Sequence, residues 1–435
     1  MSLAARFLSF AAASVTLIAV AGANEVLELE RYARIGRGGK SQKLEIDIKD
    51  PEINSPKSVR FSQDARKIYI NSLEGGKTVI YSWPDLKKLR TISHEFTTKE
   101  AELFQNESTI FNYPYYSKPN GGDVNIFMGK PVESELSHGG RWLWIPYYRR
   151  DFDKWGQSPG AVAIIDTEKD EIVRVMPTGP IPKYVAASPD GRYVAVVHWG
   201  DNTVGIIDTS SNDPRRFQYV SHLVVEEQLS QKNMAGKDRD AFCGFCLRGT
   251  VFSPDGDYLL VARMGKGGIA GFHIPTATYL GSIMKIKDTP RHLALSPDGA
   301  NVFASSNVAG YVSKTPLSLV LESLIKANGK RVNGPKWIET KVGAGARTLD
   351  LTTDGRLIFV AVNNSSEVVA VDAELMQVVV RLKVDPYAVG LAVAPDTSAV
   401  VLTSQGKKGV GGNAVNIVRI ELGDYYKNPP SLVQD

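Results

Sequence analysis

The apolar positions of this chain fall into short alternating runs separated by turn-forming residues. The pattern is clearest over residues 183–210, KYVAASPDGRYVAVVHWGDNTVGIIDTS. Residues 184–187 form one apolar run, and Ser188, Pro189, Asp190 and Gly191 then supply a turn. Proline presets φ there, aspartate bonds its own backbone, and glycine accepts a positive φ. A second run, residues 193–197, ends at His198, Trp199, Gly200, Asp201 and Asn202, and a third, residues 203–207, ends at Asp208. Three strands of a meander are predicted.

The same grammar recurs along the chain. FSPDGDYLLVARMGKGGIAGFHI begins at Phe252, LSPDGANVFASSNVAGYVSK at Leu295 and LTTDGRLIFVAVNNSSEVVAVDA at Leu351. Weaker copies begin at Phe61, Leu136 and Val393, which makes seven. A spacing of about 40 to 50 residues is that of propeller blades. The expected fold class is therefore all-β, a seven-bladed β-propeller. The strand pattern VLELERYARI ahead of the first repeat is expected to supply the outer strand of the seventh blade, which removes the open edge of the ring.

The SPDG turns at Ser188, Ser253 and Ser296, followed by strands such as NTVGIIDT and EVVAVDA, resemble the YVTN family of β-propellers, relatives by architecture of WD40 domains. The resemblance covers nearly all of residues 24–422 and implies the fold. For function it implies three roles: a binding scaffold, a subunit or domain of a redox enzyme, or a lactonase-like enzyme. Fold alone does not choose among them.

Residues 1–23 hold one basic residue, Arg6, then an apolar stretch, then Ala21-Gly22-Ala23 as a cleavage site. This reads as a secretory signal, too short for a membrane span, and places the protein in a periplasm or outside the cell. The formal charge of +4, or +3 without Arg6, selects no partner class. Residues 36–39 read as a flexible link and 423–435 as a polar tail. The two cysteines, Cys243 and Cys246 in FCGFC, are expected to form a local disulfide, with a redox-active pair as the alternative. Leu247 stands where covalent haem attachment would need histidine.

Two insertions, about 97–130 and 226–246, interrupt the rhythm. In a propeller the loops between second and third strands, the links between blades and these insertions gather on one face, where function is usually built. Residues just before each first strand then ring the mouth of the central channel. They are Lys57, Lys130, Lys183, Arg248, Arg291 and Arg347, with Tyr387 in the seventh blade. Like charges around a low-dielectric funnel concentrate anions. Such side chains also serve as ordinary ion-pair partners or cover the channel with their stems. His198, Trp199, Arg263, Asn307 and Asn363 join the ring from second-strand loops as candidate ligand-binding residues.

The six histidines show no HxH or HxxxH spacing, so no metal and no cofactor is expected. No nucleophile elbow or phosphate-binding glycine loop precedes a helix. The favoured function is a non-catalytic exported scaffold whose basic face binds an anionic ligand or a protein partner. The alternatives are a propeller subunit of a periplasmic amine-dehydrogenase-like enzyme, a lactonase-like hydrolase dependent on His198, and, last, a nucleic-acid binder.

Overall fold

The computed structural model describes residues 27–38, 44–104, 118, 120–406 and 412–427. The signal-like segment, the NYPYYS stretch of the first insertion, and Lys407 lie outside the described residues.

Seven sheets follow one another around a ring. The inner strands of blades 1 and 3 to 7 are Pro56–Phe61, Pro182–Ala187, Leu247–Phe252, Pro290–Leu295, Ala346–Leu351 and Ala388–Val393. Blade 2 departs from the others. Its inner edge is divided between Phe127–Pro131 and Glu135–Ser137, which pair with opposite halves of Trp142–Arg150.

Alternation along the strands has a direct packing consequence. In Tyr193–His198, Ala195 and Val197 enter the cluster shared with blade 4, whereas Val194 and Val196 enter the one shared with blade 2. A period of two thus sends successive side chains into opposite gaps. Seven apolar clusters result among the described residues, one in each gap between neighbouring blades. Each large side chain buried there contributes about 1.5–3 kcal/mol.

The ring closes through Leu27–Gly36, which lies antiparallel to Ala414–Leu422 from Leu27 opposite Leu422 to Gly36 opposite Ala414. A further strand, Ile46–Lys49, adds to it in parallel. On the turn face, the Ser188 hydroxyl donates to Asp190 at 2.6 Å and accepts from the Tyr193 amide at 2.9 Å, while Gly191 takes φ 73°. The same fold of the chain recurs at Ser62, Ser253, Ser296 and Thr352.

Two elements lie off the repeat. A helix, Leu317–Ala327, sits between the third and fourth strands of blade 5 and buries Leu317, Val320, Leu324 and Ala327. It can lie against blade 4 because Gly271 leaves room, since a Cβ there would meet Leu324 at 2.4 Å. Asp424–Lys427, within the expected tail, forms a helical turn whose buried Tyr426 donates to Asp372 at 2.9 Å.

Candidate functional site

Five of the six predicted basic residues converge at one end of the channel. The Arg248 guanidinium donates to Glu133 at 2.6 Å. That contact joins blade 4 to the blade 2 segment across the position of blade 3, so it spans the mouth. Lys57 feels the charges of Arg347, Arg248 and Arg291, from blades 6, 4 and 5. Burial, followed by these guanidinium charges, pushes its ammonium well below the ordinary lysine value, with Glu133 opposing. Its nearest polar contact is the neutral side-chain oxygen of Gln405 at 3.3 Å. Arg291 donates to the thioether sulfur of Met264 at 3.3 Å. Arg347 is buried beside the Tyr387 ring at 5.8 Å, and its Nε has no hydrogen-bond partner.

Lys183 occupies a different setting. Its ammonium lies 3.8 Å from the Trp199 ring centre and 4.9 Å from that of Tyr148, and it is paired with Asp240. The Tyr148 hydroxyl donates to the same carboxylate at 2.6 Å, and the Trp199 indole donates to the Asp240 carbonyl at 3.1 Å. Burial brings Lys183 down to about 7, against the pull of Asp240.

The other predicted residues do structural work. Lys130 lies within Phe127–Pro131 and pairs with Glu74 at 2.8 Å, apart from the mouth cluster, because the split inner edge of blade 2 shifts the register. His198 is fully buried. Its Nε2 accepts from the Gly179 amide at 3.1 Å, so Nδ1 carries the proton and faces the Thr203 hydroxyl at 2.8 Å. Thr203 in turn donates to Asp201 at 2.6 Å. Both ring nitrogens are engaged, which removes His198 as a base or ligand at the mouth. His198, Asp201 and His222 form the sole grouping of metal-ligand type among the described residues. The hydrogen bonds on both His198 nitrogens argue against an ion there.

Arg263 is fully buried under the insertion, pairs with Glu226 at 2.7 Å and stacks 4.1 Å from the Phe245 ring centre. The Asn307 amide donates to the Ala346 carbonyl at 3.0 Å, and the Asn363 backbone binds Gly345 at 3.0 Å, so both fix links between blades. Cys243 and Cys246 form a disulfide, with Cα atoms 4.8 Å apart. The insertion carrying it is anchored by Asn202, whose side-chain oxygen accepts from the Phe245 amide at 2.8 Å, and by Arg239, whose guanidinium donates to the carbonyls of Gly200 and Leu229.

Beneath the mouth, the next residues along the inner strands line a cavity of about 180 Å³. Arg60 pairs there with Glu135 at 2.8 Å, and the Tyr184 hydroxyl meets His292 Nε2 at 2.7 Å. Burial, then Arg248, Arg60 and Arg291, bring His292 down to about 3, so it is neutral. Sequence reasoning missed Glu133 and Asp240, the two carboxylates of the mouth. Both stand outside the repeat register, and Asp240 belongs to the insertion.

These features define a seven-bladed β-propeller whose loop face carries a recessed cationic mouth. No known protein-family profile matches the chain. Among curated proteins it is similar to Antigen Lp49 of Leptospira interrogans serogroup Icterohaemorrhagiae serovar copenhageni, at 25% identity over 186 residues. That match covers 38% of this chain and only 40% of the relative's length. Among solved structures, a chain of Kuenenia stuttgartiensis hydrazine synthase superposes with a TM-score of 0.59 at 13% identity, over 88% of this chain and 99% of that one. The β-propeller domain of Myceliophteria thermophila Cps50 (Swd1) superposes with a TM-score of 0.57 at 12% identity, over 84% and 96% of the respective chains. At these identities the likeness is one of fold. No helix among the described residues is long and apolar enough to cross a membrane.

Proposed function

We propose that this protein is an exported propeller of YVTN type, with residues 1–23 as leader, that binds an anionic ligand or the acidic group of a partner at the channel mouth. The observation that carries the reading is the charge imbalance of the mouth. Lys57, Lys183, Arg248, Arg291 and Arg347 face the carboxylates Glu133 and Asp240, a formal excess of three positive charges. A cluster of like charges in a recessed, poorly solvated site is unfavourable when empty and attracts anions. Export is supported by the signal-like first residues and by the Cys243–Cys246 bridge, since disulfides persist in oxidising compartments.

Arg291 and Arg347 are the residues to change, because neither contacts a carboxylate among the described residues. Calorimetric titration with sulfate should show one site in the native protein. In the variant combining Arg291→Glu and Arg347→Glu, affinity should fall by about a hundredfold or more, two reversed charges at close range. Equal sulfate binding by both proteins overturns the assignment.

A second reading, an acidic protein partner, is favoured by one further observation. Trp155 and Phe242 are 51% and 58% exposed on the loop face, and Trp155 borders a groove of about 750 Å³. Large exposed aromatic side chains are common anchors of interfaces. Native mass spectrometry of protein from its own host would reveal such a companion chain.

A further inference from the structure

Building on the anion-binding reading, we propose that the ligand group is a compact oxyanion carrying at least two negative charges, and that Lys57 takes up a proton when it enters.

The charge requirement follows from which cations already have partners. Glu133 is held by Arg248, and Asp240 by Lys183. Lys57, Arg291 and Arg347, from blades 1, 5 and 6, are left without a carboxylate among the described residues. Their present contacts are neutral groups, weak matches for full positive charges: an amide oxygen, a thioether sulfur, and the ring and hydrogen-bonding side chain of Tyr387. The Nε of Arg347 is buried without an acceptor. Arg291 and Arg347 keep their charge whatever Lys57 does, so a singly charged ligand would leave at least one cation uncompensated. A dianion with several oxygen acceptors offers each guanidinium a charge-assisted hydrogen bond. The recess favours a small group, because the cavity below it holds only about 180 Å³.

The proton follows from the difference between the two kinds of cation. A guanidinium keeps its charge in proteins, whereas a lysine ammonium sheds its proton when buried or crowded by like charge. Every element packed around Lys57 can be named. Blade 6 presents Arg347, blade 4 Arg248, blade 5 Arg291, blade 7 Gln405 and Tyr387, and the blade 2 segment Glu133, itself bound to Arg248. Lys183 faces Arg248 and Arg291, but Asp240 opposes the loss of its proton, so it titrates near 7 with its carboxylate partner already in place. With the mouth empty, burial and the guanidinium charges favour the neutral amine of Lys57, whose lost proton relieves the repulsion. An entering dianion reverses the local field, and the amine takes one proton from solvent to become the ammonium. The ligand itself is unchanged. Apparent affinity must therefore fall as pH rises.

Sulfate is a suitable probe because it has no titration of its own near neutral pH. The full chain is titrated at pH 8 with sodium sulfate, sodium succinate and sodium nitrate. Tris and triethanolamine are used in turn, since their different protonation heats reveal protons taken up. Sulfate and succinate should bind at least about tenfold more tightly than nitrate, and their order separates a tetrahedral oxyanion from a dicarboxylate. Uptake should be about 0.5–1 proton per dianion. Lys57→Arg, whose charge is fixed, should bind sulfate with proton uptake cut by at least about half and a shallower fall of affinity between about pH 7 and 9. The remainder comes from Lys183 and should vanish in the double variant Lys57→Arg, Lys183→Arg.

Nitrate binding as tightly as sulfate overturns the dianion requirement. Sulfate binding without proton uptake in the native protein, or with uptake undiminished in Lys57→Arg, overturns the role of Lys57 and leaves the anion site standing. Failure of all three anions to bind overturns the parent reading as well.

Discussion

The two faces of this propeller treat charge in opposite ways. On the turn face, Asp64, Asp255 and Asp298 each accept from a neighbouring Ser hydroxyl, and that hydrogen bond first of all holds their carboxyls below the ordinary aspartate value. The folded chain there stabilises the charges it carries. On the loop face, burial first and like charges second push Lys57 and Arg291 toward their neutral forms, and burial alone depresses His222 to about 4. The fold there holds its charges at a cost. A face whose polar groups satisfy one another has no need of a ligand, whereas a face that keeps cations apart from carboxylates is completed by one.

Three measurements separate the faces by what each loses when altered. The largest effect is expected at Asp201, in a loop of the loop face. Burial first pushes this carboxyl up to about 7 from the ordinary 3.8, partly offset by Thr203, Arg239 and Gln228. The folded value lies above the unfolded one, so the unfolded chain ionises first as pH rises. Stability is therefore lost between about pH 4 and pH 7 and is level beyond, by as much as about 4 kcal/mol. Urea unfolding of Asp201→Asn at pH 5 and pH 8 should show this slope removed. An unchanged slope would assign the pH dependence elsewhere.

Next comes the insertion. Replacing Cys243 and Cys246 together by serine opens a very short loop, and the chain-entropy cost is about 2 kcal/mol. The melting temperature should drop, and a reductant should lower that of the native protein to the same value. The smallest effects belong to the turn face. Gly191 has φ 73° and no atom within 4 Å of an added Cβ, so Gly191→Ala should cost only the backbone strain, about 1 kcal/mol. Ala65 holds the equivalent place in blade 1 at φ 53°, and Ala65→Gly should gain about 0.5 kcal/mol. Loss of stability in the second variant would show that the turns are not equivalent.

The fold was legible because each blade repeats one local grammar, from the Ser188 turn to the alternation of residues 193–197. The closing strand was legible too, since VLELERYARI precedes a last repeat with only three strands. The helix Leu317–Ala327 was not, because its apolar positions follow directly from a strand of the same composition. Blade 2 misled for a related reason. Its inner edge is built from two pieces, so the position aligned with the other basic residues holds Lys130, which pairs outward, while Glu133 faces the mouth. Five cations could be placed from recurrence alone. Their counter-charges could not, since Glu133 and Asp240 recur nowhere. His198 stood at the right height, but its partner is the backbone amide of Gly179, a donor that every sequence position but proline offers.

The closing strand has one more consequence. Glu30 and Arg419 stand 389 positions apart in the chain, yet they pair at 2.5 Å in the seventh blade. Among the described strands, Leu27–Gly36 is made first and is thus the one that waits longest for its neighbour. Contacts so remote in sequence are slow to form, and until they do, the ring has two open edges able to recruit strands from other molecules. For this molecule the hazardous interval is the time between synthesis of its first blade and docking of its last.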